Sequence, residues 1–227
     1  MSKLKTFYLK YRHGIPLIIY AALYLTWFVY LEKTVTKGYQ IIYMKLDDYI
    51  PFCELFVIPY FLWFLYIVVV ICYLLFKDKT EYYRAFIFLT TGMTIFLIVS
   101  TLWPNGHHLR PLVMPRDNIL TAWVSNLYGT DTATNLWPSI HVYNSIGAHI
   151  AVMKCKRLEK YKAIRIGSGI LATLIVLSTV FIKQHSVFDV LTAFIMAAAM
   201  YVVVYKLDIV CTIRTIRSRK RPRPLAE

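Results

Sequence analysis

Six apolar runs divide this chain, at about residues 15–31, 55–76, 85–103, 138–153, 166–182 and 187–205, and no stretch between them would fit a soluble domain. A hydrocarbon core of about 30 Å is crossed by ~17–25 residues of α-helix. Backbone inside it must satisfy its own hydrogen bonds, which leaves helices as the form such runs take. The fold expected is therefore all-α and membrane-integral, a six-helix transmembrane bundle. The fourth run, opened by Pro138, is the shortest. The first is followed by Glu-Lys-Thr-Val-Thr rather than a small-residue cleavage site, so it reads as a retained anchor.

Composition agrees with a membrane chain. Hydrophobic residues make up 58% and aromatic residues 16%, with 18 Tyr and 5 Trp, side chains that settle at bilayer interfaces. The net charge of +14 could indicate nucleic acid, but its distribution points elsewhere. With the N-terminus inside, 20 of the 26 Lys and Arg residues fall in inner segments and six in outer ones. That asymmetry predicts both termini in the cytoplasm. The basic residues then serve topology and contact with anionic lipid rather than nucleic acid. Of the four cysteines, Cys53 alone falls outside and none has metal-type spacing, so neither a disulfide within the chain nor a Cys-x-x-Cys metal site is expected.

The chain thus reads as a cytoplasmic segment at 1–13, a membrane domain at 14–205 and a basic cytoplasmic tail at 206–227. The stretch 104–137 reads as a long ordered outer loop, steadied by Asp117 and Asp131 through turns. Asp47, Asp48 and Glu54 read as a solvated face of the first outer loop.

This topology gathers three polar clusters on one outer face. The first is Gly106-His-His-Leu-Arg-Pro111, the second Trp137-Pro-Ser-Ile-His141, and the third lies within 178–189. In the third, His185 and Asp189 are four residues apart, one helical turn. A carboxylate behind an imidazole fixes its tautomer and raises its basicity, which suits a nucleophile or base. A polar helix cap is the alternative for the same pattern. Pro138 suits a first helical turn, and Ser139 with the free amides behind it makes an outward helix N-terminus of the kind that binds phosphate. His141 in that turn is placed to protonate a leaving oxygen. Arg110 offers a planar fork for phosphate oxygens. His149 reads as a packed intramembrane histidine.

Together these residues resemble the type 2 phosphatidate phosphatase superfamily of lipid phosphate phosphatases and related lipid phosphotransferases. The family pattern is Lys-x6-Arg-Pro, Pro-Ser-Gly-His and Ser-Arg-x5-His-x3-Asp. This chain offers Arg110-Pro111, Pro138-Ser139-Ile140-His141, and Ser178-Thr179 with His185 and Asp189 at the family spacing. The likeness covers about residues 85–205. It implies a phosphoric ester hydrolase or lipid phosphotransferase of the cell membrane, with its active site on the extracytoplasmic face and no metal or other cofactor. His185 would be the nucleophile that becomes phosphohistidine, Asp189 its orienting group and His141 the acid. Ser139 and Arg110 would bind phosphate.

Three positions depart from the pattern. Trp103 stands where the family keeps Lys, Thr179 where it keeps Arg, and Ile140 where it keeps Gly. Lys183, His107, His108 or Arg116 would have to replace the missing cations, with Lys183 and His108 taken as substrate-binding. A pocket with fewer cations suits a phosphodiester donor, as in the inositol-phosphotransferase-like branch, better than a phosphomonoester. The function expected is a lipid phosphatase acting on a lipid phosphate or diphosphate. A head-group phosphotransferase is the alternative, and a non-catalytic lipid-binding or transport protein the reading from a different class.

Overall fold

A computed structural model describes residues 3–211, and the chain is mostly helical over them. The basic tail from residue 212 onward lies outside the described residues. The helices are α1 (Lys3–Tyr11), α2 (Ile15–Thr34), α3 (Val57–Lys77), α4 (Lys79–Leu102), α5 (Ile119–Thr130), α6 (Ile140–Lys154), α7 (Lys162–Phe181) and α8 (Val187–Tyr201), the last running into a π-helical turn at Val202–Lys206. Five helical spans are long and apolar enough to cross a membrane: those containing α2, α3, α4, α7 and α8. Their outer faces carry large apolar side chains at high exposure, 71% for Ile18, 70% for Phe64 and 70% for Ile195. Contiguous exposed apolar surface of this kind suits a hydrocarbon surround rather than water.

Helix α6 is different. Its 15 residues reach only about 22 Å at 1.5 Å per residue. It packs against α3, α4, α7 and α8, and most of its side chains are buried. A helix enclosed by protein need not be apolar all round. This is why its run in the sequence is short and interrupted by Asn144, Ser145 and His149.

Close approach to α6 depends on two glycines. A β-carbon at Gly92 of α4 would overlap the ring of Tyr143, and one at Gly147 of α6 would meet the Phe88 ring at 2.6 Å. Phe88 and Tyr143 stack at 4.8 Å, and the Tyr143 hydroxyl donates to the Phe88 carbonyl at 2.7 Å. Small residues that let helices approach, and polar groups bonded between helices, are the usual means of association in lipid. His149 conforms: its Nδ1 lies 3.1 Å from Ser168 Oγ on α7, which also bonds Tyr66 of α3. The packed histidine expected from the sequence is therefore a three-helix tie.

The connections position the site. Asp78 alone separates α3 from α4 and caps α4, accepting from the amides of Thr80 and Glu81. At the other end, strand β1 (Gln40–Ile41) pairs in parallel with β2 (Asn105–Gly106), which joins the loop between α2 and α3 to the longer one between α4 and α6. The long stretch read as an ordered loop also holds a helix. It contains α5, capped by Asn118, whose side chain accepts from Leu120 and Thr121 while the Thr121 hydroxyl accepts from the Asn118 amide. Val124 and Leu127 of α5 pack against Val57, Tyr60 and Ile182 and fasten the loop to α3 and the end of α7.

Candidate active site

Ser139 caps α6, accepting from the Val142 amide at 3.4 Å, and this places His141 in the first helical turn. Ser186 caps α8 in the same way. Asp189 completes that box by accepting from the Ser186 amide at 3.0 Å, and the same oxygen lies 3.3 Å from Nδ1 of His185. One carboxylate oxygen therefore both caps the helix and holds the imidazole. The Ser139 amide meets the Asp189 carbonyl at 3.5 Å, which ties the two helix starts together.

The result is a facing pair of histidines from elements 44 residues apart, with His185 Nε2 at 3.4 Å from His141 Nδ1. Behind His141 stand the rings of Tyr60 and Trp63 of α3, at 4.7 and 4.3 Å between centroids. His185 is buried. Burial, reinforced by the charge of Arg110, pushes its pKa down to about 3, so the imidazole is neutral at physiological pH. A neutral imidazole whose Nδ1–H faces a carboxylate presents a bare lone pair at Nε2. Any group that is to reach that lone pair has to displace the contact with His141.

The cations expected to serve phosphate are engaged elsewhere. Arg110 donates to the carbonyls of Tyr128, Asp131 and Thr132 and to Gln184 Oε1, with its guanidinium 4.3 Å from the Tyr128 ring centroid. Its Nε is buried without a partner. Lys183 Nζ donates to the carbonyls of Asp47 and Ile50 at 2.8 and 2.6 Å. Arg116 pairs with Glu54. His108 is exposed, and its ring faces Tyr39 at 6.3 Å between centroids. Trp103 is exposed, and Thr179 is buried with its hydroxyl on the Val176 carbonyl. Arg110 and Lys183 are thus first of all anchors for backbone, and His108 is a surface residue.

His107, rather than His108, faces inward. It is buried, with Nε2 donating to the Gln184 carbonyl at 3.0 Å and Nδ1 accepting from the Leu109 amide. The side chain of Gln184 bridges Arg110 to Asp131, which also accepts from the Tyr60 hydroxyl at 2.9 Å. Asp131 does steady the long loop, but as a buried junction whose burial pushes its pKa up to about 6. Asp47 and Glu54 are likewise buried rather than solvated. Glu54 is held by Arg116 and Asn118, and Asp47 accepts from Ser186 Oγ and the Val187 amide beside the histidine turn. Among the described residues, no group of three His, Cys, Asp or Glu side chains is arranged to hold a metal ion.

Burial of His107 makes one prediction. Its pKa is pushed from 6.5 down to about 4, chiefly by burial. Below pH 6.5 the unfolded chain takes up a proton that the folded chain refuses until about pH 4, so stability falls as the pH drops through that window. His185 adds to this slope and Asp131, shifted upward, opposes it. His107→Gln keeps an amide donor for Gln184 and is expected to flatten the slope. Melting of wild type and variant in detergent between pH 7 and pH 4.5 checks this, and parallel curves would contradict it.

Chemically, the site offers a neutral imidazole backed by a carboxylate, a second imidazole opposite it, and the N-terminus of α6 beside both. No protein-family profile, no curated protein and no solved structure matches this chain.

Proposed function

We propose that this chain is a multi-pass membrane enzyme that transfers the phosphoryl group of a lipid phosphate through a phosphohistidine at His185. The observation that carries this reading is the His141–His185–Asp189 arrangement, with His185 Nε2 facing His141 and its Nδ1 facing Asp189. In the first step the His185 Nε2 lone pair attacks phosphorus. The P–N bond forms as the P–O bond to the leaving alcohol breaks, and that oxygen takes a proton from His141, which enters the step as the imidazolium and leaves it neutral. In the second step water attacks the phosphohistidine, His141 takes its proton, the P–N bond breaks and phosphate leaves. The amides opening α6 and the side chain of Ser139 are the donors available to the phosphoryl oxygens.

In this reading α6 is a sixth membrane helix, packed among α3, α4, α7 and α8. Both termini are cytoplasmic and the histidine pair opens at the extracytoplasmic face of the cell membrane. The Lys and Arg distribution supports that orientation, and the motif resemblance to lipid phosphate phosphatases supports the chemistry.

A second reading rests on the cations. With Arg110, Lys183 and Arg116 already engaged, and Trp103 and Thr179 where cations are expected, the site suits a singly charged phosphodiester. An alcohol would then replace water in the second step, making the protein a head-group phosphotransferase.

The test is to quench purified protein turning over radiolabelled lipid phosphates, both monoester and diester, with and without an alcohol acceptor. An acid-labile, base-stable phosphoenzyme is expected. A diester preference with transfer to the alcohol selects the second reading. Tight lipid binding with no turnover of any substrate would mark a binding or transport protein instead.

A further inference from the structure

The end of the bundle away from the histidine pair carries a second site. Tyr60 and Trp63, near the start of α3, touch His141, whereas Lys79 follows the end of the same helix. The 16 residues from Trp63 to Lys79 place these ends roughly 25 Å apart. Here the turn between α1 and α2 meets the start of α4 around a cavity of about 670 Å³. Arg12, Lys79, His13 and Tyr8 line it, with Ile15 and Pro16 of α2 at its edge.

Two features separate this cavity from a merely basic surface. Neither Arg12 nor Lys79 forms an ion pair among the described residues, whereas Arg84 and Arg116 are both paired with carboxylates. His13 is buried at 9% exposure, with Nε2 donating to the Leu75 carbonyl at 3.1 Å. That bond fixes the proton on Nε2 and leaves Nδ1 as a buried acceptor without a partner. An unpaired buried polar atom is destabilising, and a ligand hydroxyl would give it a partner.

We propose that this cavity binds the headgroup of an anionic, hydroxyl-bearing phospholipid. Its phosphate lies between Arg12 and Lys79, and a headgroup hydroxyl donates to His13 Nδ1. A lipid fits better than free phosphate because Ile15 and Pro16 of α2 line the cavity beside the cations. Ile18, Ile19 and Leu23, further along the same helix, are exposed apolar side chains. Charged head and apolar tail thus meet the matching surfaces in one continuous path. This site is independent of the phosphoryl-transfer reading.

The experiment uses full-length protein in a neutral detergent, titrated with dihexanoyl phosphatidylglycerol, dihexanoyl phosphatidylcholine and inorganic phosphate while melting is followed. The glycerol lipid is expected to raise the melting temperature saturably by several degrees, with no shift from the other two. Arg12→Gln/Lys79→Gln is expected to lose that shift while retaining the ligand-free melt and the phosphoenzyme signal. An equal shift in the variant, or from phosphatidylcholine, would overturn the site, and a shift from inorganic phosphate would make it a free-anion site instead. Native mass spectrometry of wild-type protein from mixed nanodiscs gives a reading that needs no variant. Retained phosphatidylglycerol above its membrane fraction supports the proposal, and retention at the membrane ratio refutes it.

Discussion

Replacing His185 by alanine is expected to lower turnover of a lipid phosphate by at least about 10⁴-fold and to remove the trapped phosphoenzyme, since residues that act as one catalytic unit are lost together. The side chain sits between two partners rather than in an apolar lining, with Nδ1 on Asp189 and Nε2 on His141. His185→Gln is the control for folding, because its amide can still donate towards Asp189 while offering no nucleophilic nitrogen. His141→Ala is expected to behave differently. It leaves the nucleophile in place and removes the proton donor, so the loss grows as the leaving alcohol becomes more basic. An activated aryl ester should then be turned over by His141→Ala far better than a lipid is. If His185→Ala keeps more than about a tenth of wild-type turnover, or if the two histidine variants lose lipid and aryl ester in parallel, the pair does not divide the roles of nucleophile and acid.

The histidines were legible in the sequence because each is set by its own helix start. Pro138-Ser139 opens α6 two residues before His141, and Ser186 with Asp189 forms a local capping box around the turn that carries His185. Signals that span three or four residues survive without tertiary information. The membrane helices were legible for a related reason, since long apolar runs in lipid have one way to satisfy their backbone. Helix α5 had a readable cap at Asn118 and Thr121, but the surrounding prolines and glycines masked it. The cations were not legible at all. Arg110 and Lys183 act on backbone carbonyls, which every residue possesses, so only the folded chain decides which of them come within reach. Asp47 was misread as solvated for the same reason: its partners, Ser186 and Val187, lie 139 and 140 positions away.

Those partners make Asp47 the residue outside the three motifs with the largest expected effect. One carboxylate oxygen accepts from Ser186 Oγ at 2.6 Å and the Met44 amide at 2.8 Å, and the other accepts from the Val187 amide at 2.7 Å. Val187 opens α8, so Asp47 satisfies a helix-terminal donor from another part of the chain. Lys183 fastens the same segment from the opposite direction by donating to the Asp47 carbonyl. The loop between α2 and α3 is therefore clamped on both sides of His185. Asp47→Ala leaves the Ser186 hydroxyl and the Val187 amide buried with one partner fewer, a change of about 1–3 kcal/mol in stability. A displacement of His185 by about 1 Å is expected to cost turnover on the order of 10²-fold. Because Asp47 positions His185 rather than touching substrate, kcat should fall while KM stays near its wild-type value. Asp47→Asn keeps an acceptor for Val187 and should recover part of the loss. Ser186→Ala combined with Asp47→Ala should cost less than the sum of the two, as expected for groups in direct contact. Asp48, whose bond is to the exposed Tyr43 hydroxyl, provides the comparison. If Asp47→Ala and Asp48→Ala have equal kcat and melting temperature, the clamp does not hold His185 in place.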